Sequence, residues 1–314
     1  MKITNDLRSF GLLVLLAVMT ASFLGCAAQK QTLRKANKFD YPIPSSHSPE
    51  PSVPKELPRM TSDELERSGD AYFSRGNLHM ALAQYQKVLG LDQNNIRVRY
   101  KKGLLFVSAG MNQDAIKVFQ EVLKRGPDYA RAYEGLGRAF FQMKNYQEAE
   151  KNFRKGIALD PSLWKAHNYL GIIHDYQGTY EEAIPAYSAA IALQPDLGSL
   201  YNNLGVSYSL AGKYREAANA FNRALKNQYV KSKVYNNLGL ALSKLGRYQE
   251  AFEAFSKAGN EAQAHNNLGC IYLLQGGAEQ AISHFEKAIE ISPTYYVNAS
   301  ENLRKARIAY FHQR

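Results

Sequence analysis

Leu200-Tyr-Asn-Asn-Leu-Gly-Val-Ser-Tyr208, followed past Gly212 by Tyr214-Arg-Glu-Ala-Ala-Asn-Ala-Phe221, reads as two short amphipathic helices joined by a tight turn. Three residues set its geometry. Gly205 has no side chain, so a second helix can approach the first closely. Ala217 allows the same from the other side, and the aromatic ring of Phe221, four residues later, fills the space around the crossing. The same order returns along the chain at Gly69, Gly103, Gly137, Gly171, Gly205, Gly239 and Gly269, at spacings of 34, 34, 34, 34, 34 and 30. Each glycine has an alanine twelve residues on (Ala81, Ala115, Ala149, Ala183, Ala217, Ala251, Ala281) and an aromatic four further (Tyr85, Phe119, Phe153, Tyr187, Phe221, Phe255, Phe285). Two helices of this length cannot bury their apolar faces alone. They must stack on their neighbours, which predicts one continuous array.

This period and residue order resemble the tetratricopeptide repeat. The resemblance implies an all-α fold: a right-handed α-solenoid of seven helix-turn-helix repeats, at residues 62–95, 96–129, 130–163, 164–197, 198–231, 232–261 and 262–295, closed by a capping helix at 296–314. Local signals agree. Thr61 with Glu64, and Thr179 with Glu182, have capping-box spacing, and Gly76, Gly110, Gly178, Gly212, Gly246 and Gly276 fall between paired helices. Pro185, inside a second helix, predicts a bend or a loosened first turn. The sixth repeat is four residues short, so a tight turn after Ser256-Lys-Ala-Gly259 and a change of pitch are expected there. His174, where other repeats carry an aromatic, is read as a packed and hydrogen-bonded core residue.

Working outward to the N-terminus, Lys2 and Arg8 precede an uncharged apolar run over 11–24, too short to span a bilayer as a helix. The run ends in Phe23-Leu24-Gly25-Cys26, which resembles a bacterial lipobox. That resemblance implies a signal peptide over 1–25, lipidation of Cys26, and a location in the bacterial cell envelope, at the outer membrane and facing the periplasm. An uncleaved N-terminal anchor is the alternative. Residues 26–60 hold six of the eleven prolines, Pro42 to Pro58, and read as an extended tether reaching about 30–35 Å as a coil.

Chemistry of the catalytic kind finds no constellation. The seven histidines show no metal-ligand spacing, phosphate-loop patterns are missing, and Cys270 reads as a packing residue, so neither an enzyme nor a cofactor or metal site is expected. Function is expected on the first helices, where positions 2, 6, 9 and 13 form one stripe lining the groove that the resemblance implies. In repeats four to seven the stripe is apolar and amidic, with Ile172, Val206 and Leu240 beside Asn203, Asn237 and Asn267, and with Asn168, Asn202, Asn236 and Asn266 one position earlier. An amide both donates and accepts, so such a ladder can pair with the backbone of an extended peptide whatever its side chains. The alternative is that these amides are solvated or bonded within the array.

In repeats two and three the stripe carries Arg97, Lys101, Arg131 and Arg138. The formal charge of +11 concentrates there: residues 96–163 hold 13 basic against 7 acidic side chains. This is either a solvated face or a dock for an acidic segment or anionic headgroups, and it does not resemble a nucleic-acid surface. The sequence thus predicts a scaffold that holds a peptide or helix of another envelope protein at the membrane. Its architecture is similar to that of lipoproteins serving pilus and secretion machines, including the TadD type and pilotins. An adaptor for peptidoglycan synthases or hydrolases, and a chaperone-like binder of exported clients, remain open, as does self-association.

Overall fold

The computed structural model describes residues 60–229, 231–292 and 296–312. The leader, Cys26 and nearly all of the tether lie outside the described residues. The described part is all helical and contains no strand. Seven antiparallel pairs follow one another: α1 (Ser62–Ser74) with α2 (Leu78–Leu91), α3 (Ile96–Ser108) with α4 (Asn112–Arg125), α5 (Ala130–Gln142) with α6 (Tyr146–Leu159), α7 (Trp164–Gln177) with α8 (Tyr180–Leu193), α9 (Gly198–Leu210) with α10 (Tyr214–Lys226), α11 (Ser232–Lys244) with α12 (Tyr248–Ala258), and α13 (Glu261–Leu274) with α14 (Ala278–Ile291). A last helix, α15 (Tyr296–His312), lies against α14 and has no second helix of its own among the described residues. The fold is an α-solenoid.

The glycine-aromatic rule is geometric. A Cβ built on Gly69, Gly103, Gly137, Gly171, Gly205, Gly239 or Gly269 would come within 2.5 to 2.7 Å of the ring sixteen residues later, closer than real contacts allow. Those seven rings, from Tyr85 to Phe285, are at most 1% exposed, and the seven alanines, from Ala81 to Ala281, are 0% exposed. Burying each large side chain is worth about 1.5–3 kcal/mol, so the array stands on a core written once per repeat.

Each pair is closed by one turn. The residue after the turn returns its N–H to a carbonyl five positions back, as in Asn77 to Tyr72 (2.9 Å) and Gly277 to Tyr272 (2.8 Å). This requires a left-handed residue just before it, which is glycine six times, with φ between 74° and 84°, and Lys144 in the third pair, with φ 61°.

One local expectation needs correction. Thr61 and Glu64 form the capping box, but Thr179 makes no side-chain cap on α8. Its Oγ1 lies 3.0 Å from Nδ1 of the buried His174 and also donates to the His174 carbonyl at 3.3 Å, so the hydroxyl is used within the turn. Helix α8 runs unbroken through Pro185. Residue 185 has no N–H to return to the carbonyl of residue 181 near the N-terminal end, and in the first turn the Thr179 carbonyl accepts from both the Glu182 and the Ala183 N–H at 3.1 Å.

The array curves toward its first helices. Successive first helices α3–α5, α5–α7, α7–α9, α9–α11 and α13–α15 touch directly, and no pair of successive second helices packs to the same degree. The series weakens between α1 and α3 and again between α11 and α13, the latter at the short sixth repeat, where only Gly259 and Asn260 separate α12 from α13. Asn260 caps α13 there by accepting from the Gln263 N–H at 2.9 Å.

Candidate functional site

The inner face begins with charges that are already matched. Arg97 donates to Glu66 at 2.6 Å, and Lys101 donates to Glu66 at 2.6 Å and to Asp70 at 2.5 Å. The Glu66 side chain is only 7% exposed. A carboxylate that deep needs its partners, so Arg97 and Lys101 serve first to neutralise the acids of the first repeat. The sequence did not show this, because the partners stand 31 to 35 residues apart.

One repeat further the balance changes. Arg131 and Arg138 on α5, and Lys165 on α7, make no ion pair among the described residues. The Nε of Arg138 is buried and has no hydrogen-bond partner. Glu134, one turn before Arg138, is the acid in their midst and is itself 6% exposed. Burial pushes its carboxyl upward, opposed by the charges of Lys165, Arg138 and Arg131. Three cations thus face the buried carboxylate of Glu134 and, at Arg131, the carboxylate of Asp160, which leaves a surplus of positive charge.

Between α5, α7 and α9 lies a cleft of about 310 Å³. Arg138 and Lys165 supply its charge, Trp164 and Tyr169 its aromatic wall, and Asn168 and Asn203 its amides. Ile172 also lines it. Tyr169 is held by rings on both sides, stacked on Phe153 with centroids 5.1 Å apart and edge-on to Phe141 at 5.0 Å, so the wall is fixed in place. Trp164 and Lys165 were not singled out from the sequence. Lys165 is the second residue of repeat four, the first position of the stripe, as Arg131 is in repeat three, and that register was the available signal.

The asparagines divide into two groups. Asn203 donates to Asn168 at 3.0 Å and accepts from Asn202 at 3.3 Å, while the Asn202 oxygen is buried without a partner. Asn266 accepts from Asn302 of α15 at 3.1 Å. Asn302 continues the ladder into the cap. Asn236, Asn237 and Asn267 are half-buried and make no side-chain hydrogen bond among the described residues. Val206 and Leu240 are half-buried beside them and pack on the core beneath. Cys270 is a free thiol, its pKa pushed up by burial, and Asn302 lies 3.5 Å from its sulfur.

No group of side chains suited to hold a metal ion occurs among the described residues, and no described helix is long and apolar enough to cross a membrane.

Residues 49–270 match the family described as the cilia and flagella-associated protein 70 C-terminal domain, and residues 262–295 match the tetratricopeptide repeat. None of the curated proteins matches. Among solved structures, PilW, described as a widely conserved type IV pilus biogenesis factor, superposes with a TM-score of 0.56 at 22% identity, covering 62% of this chain and 90% of its own. A tetratricopeptide repeat protein from Parabacteroides merdae gives 0.50 at 16% identity over 78% of this chain and 98% of its own. The MamA protein is 30% identical over 55% of this chain and 94% of its own, with a TM-score of 0.44.

Proposed function

Since the chain belongs to the tetratricopeptide-repeat family, through the domain family matched over 49–270, we propose that it is a lipid-anchored scaffold holding an extended acidic segment of another cell-envelope protein in its inner groove. A protein-interaction scaffold is what this fold is; the acidic ligand, the anchor and the envelope setting are the proposal. One observation carries the ligand chemistry: Arg138 and Lys165 border the cleft beside Trp164 and Tyr169, with Arg131 a short way off, and these three cations make no ion pair among the described residues while facing one buried acid, Glu134. An acidic side chain entering there meets the half-buried Arg138, the exposed Lys165 and an aromatic wall, and charge-assisted hydrogen bonds of this kind are about twice as strong as neutral ones. Asn237 and Asn267, farther along the groove, make no side-chain hydrogen bond among the described residues and can pair with an extended backbone. The lipobox-like Phe23-Leu24-Gly25-Cys26 supports anchoring at the envelope. The likeness to PilW is one of fold, so service to a pilus or secretion machine rests on architecture.

The test uses the full chain in detergent and fluorescent peptides. Expected is salt-sensitive binding of an acidic, aromatic-containing peptide, weakened about tenfold or more by R138E with K165E. Equal binding of a charge-reversed peptide would remove the reading. Co-purification from solubilised membranes then separates settings: a secretin or pilus subunit supports the machine, and a wall synthase or hydrolase replaces it. Cys26→Ser should abolish lipid attachment, and full membrane anchoring in that variant would favour an uncleaved helix.

A further inference from the structure

The far end of the array presents a second surface, built from other residues. An open groove of about 870 Å³ runs between α14 and α15, with Ile289, Leu303, Ile308 and Phe311 along its apolar lining. Phe311 is 79% exposed and Ile308 47%. The repeat register explains the opening. Asn302 stands where Asn267 stands in the seventh repeat, so Leu303 corresponds to Leu268 and Arg304 to Gly269. At that glycine every other first helix admits the ring of its own second helix. Arg304 closes this approach, and the face of α15 needs a different cover.

The charges say which. One wall carries Glu286 and Glu290 on α14, and the other Arg304 and Arg307 on α15. Arg307 reaches Glu286 at 2.8 Å, while Arg304 and Glu290 make no ion pair among the described residues. A segment of one charge sign would be repelled by one wall. A second copy of this chain satisfies both, because a two-fold axis sets basic against acidic walls twice. It also brings the knob: Phe311, too apolar to favour solvent at 79% exposure, is offered to a groove of the same make.

We propose that this face is a two-fold interface between copies of the chain, with α15 of each lying antiparallel in the α14–α15 groove of the other and Arg304 facing Glu290 across the axis. Self-association at the cap leaves the peptide groove on the inner face free in each copy. A paired scaffold would then present two peptide sites, which raises the retention of a partner carrying repeated segments.

Sedimentation and light scattering of the full chain in detergent test this. The parent is expected as a dimer at micromolar concentration. F311D and, separately, R304E should raise the dissociation constant about tenfold or more, and R304E combined with E290R should restore the dimer. Residue 311 is exposed, so the helical circular dichroism of F311D should match the parent and separate dissociation from unfolding. A monomeric parent, a mass unchanged by either variant, no rescue by the charge swap, or species growing beyond the dimer with concentration would each overturn the proposal. So would occupation of the groove by another protein's helix on a monomeric chain.

Discussion

The side-chain amide of Asn203 donates to the Asn168 oxygen at 3.0 Å, tying the first helix of one repeat to that of the repeat before it. Asn302 does the same for Asn266 at 3.1 Å, at the join between the last repeat and the cap. Asn237 and Asn267, which share a register position with Asn203, make no such bond among the described residues.

The ladder should therefore split under mutation. Asn168→Ala removes an inter-repeat hydrogen bond and is expected to lower stability by about 1 kcal/mol in urea unfolding. Asn237→Ala and Asn267→Ala remove none and should stay within about 0.5 kcal/mol of the parent, while weakening capture of the acidic peptide several-fold. Stability losses of the same size at all three sites would show that the division has no energetic content.

Glycines in the array should differ by what lies opposite them. Phe119 is pressed from two sides: a Cβ on Gly103 would fall 2.5 Å from its ring, and one on Gly135 2.4 Å. Gly135→Ala must push a fully buried ring and is expected to cost about 1–3 kcal/mol. Gly90 lies exposed in α2, with nothing within 4 Å of its added Cβ. Gly90→Ala should stabilise by about 0.5–1 kcal/mol through helix propensity alone. Thermal unfolding of the two variants should move in opposite directions.

The core was legible because one steric requirement recurs seven times, and Gly69 to Phe285 state it in residue types alone. The groove was legible only as a stripe. Which of its charges are free depends on pairs that meet across repeats, such as Lys101 with Asp70, and no local pattern marks them. Thr179 shows the same limit on a smaller scale. Its spacing to Glu182 has the form of a capping box, yet the buried His174 ring, five residues earlier, competes for the hydroxyl and takes it. Asn302 lies in the cap, beyond the seven repeats whose glycine register marks the ladder.

Lys144 is the exception among the seven turns. It holds φ 61° where the other six turns place glycine. A side chain in this region costs about 1–2 kcal/mol. Lys144→Gly is expected to recover about 1 kcal/mol, less what the unfolded chain gains in freedom, and Gly110→Lys in the preceding turn should lose a similar amount. Matched denaturation curves would show the pair as mirror images, and a destabilised Lys144→Gly would mean that its side chain contributes a contact outweighing the strain.

Acidity should act on the fourth and seventh repeats in opposite senses. Burial pushes the Asp175 carboxyl up from 3.8 to about 6, against the lowering effect of the Tyr187 hydroxyl, which donates to it at 2.7 Å. The folded form therefore binds this proton more tightly than the unfolded chain. The contribution is fully present below about pH 3.8 and is lost as pH rises through about 6, a swing of up to about 3 kcal/mol. His265 and His284 run the other way. Their Nδ1 atoms are 2.9 Å apart, and burial lowers both, assisted by Lys287 and, for His284, by His265. Their contribution is present above the unfolded value of 6.5 and falls away as pH drops through the lowered folded values. Asp175→Asn should thus stabilise α7 and α8 at about pH 7.5, read as slower amide exchange, and leave them no more stable than the parent at about pH 4. His284→Gln should flatten the acid side of the profile in α13 and α14 alone. An Asp175→Asn chain whose exchange in α7 and α8 keeps the parent's pH dependence would show that this carboxylate is not the group that titrates there.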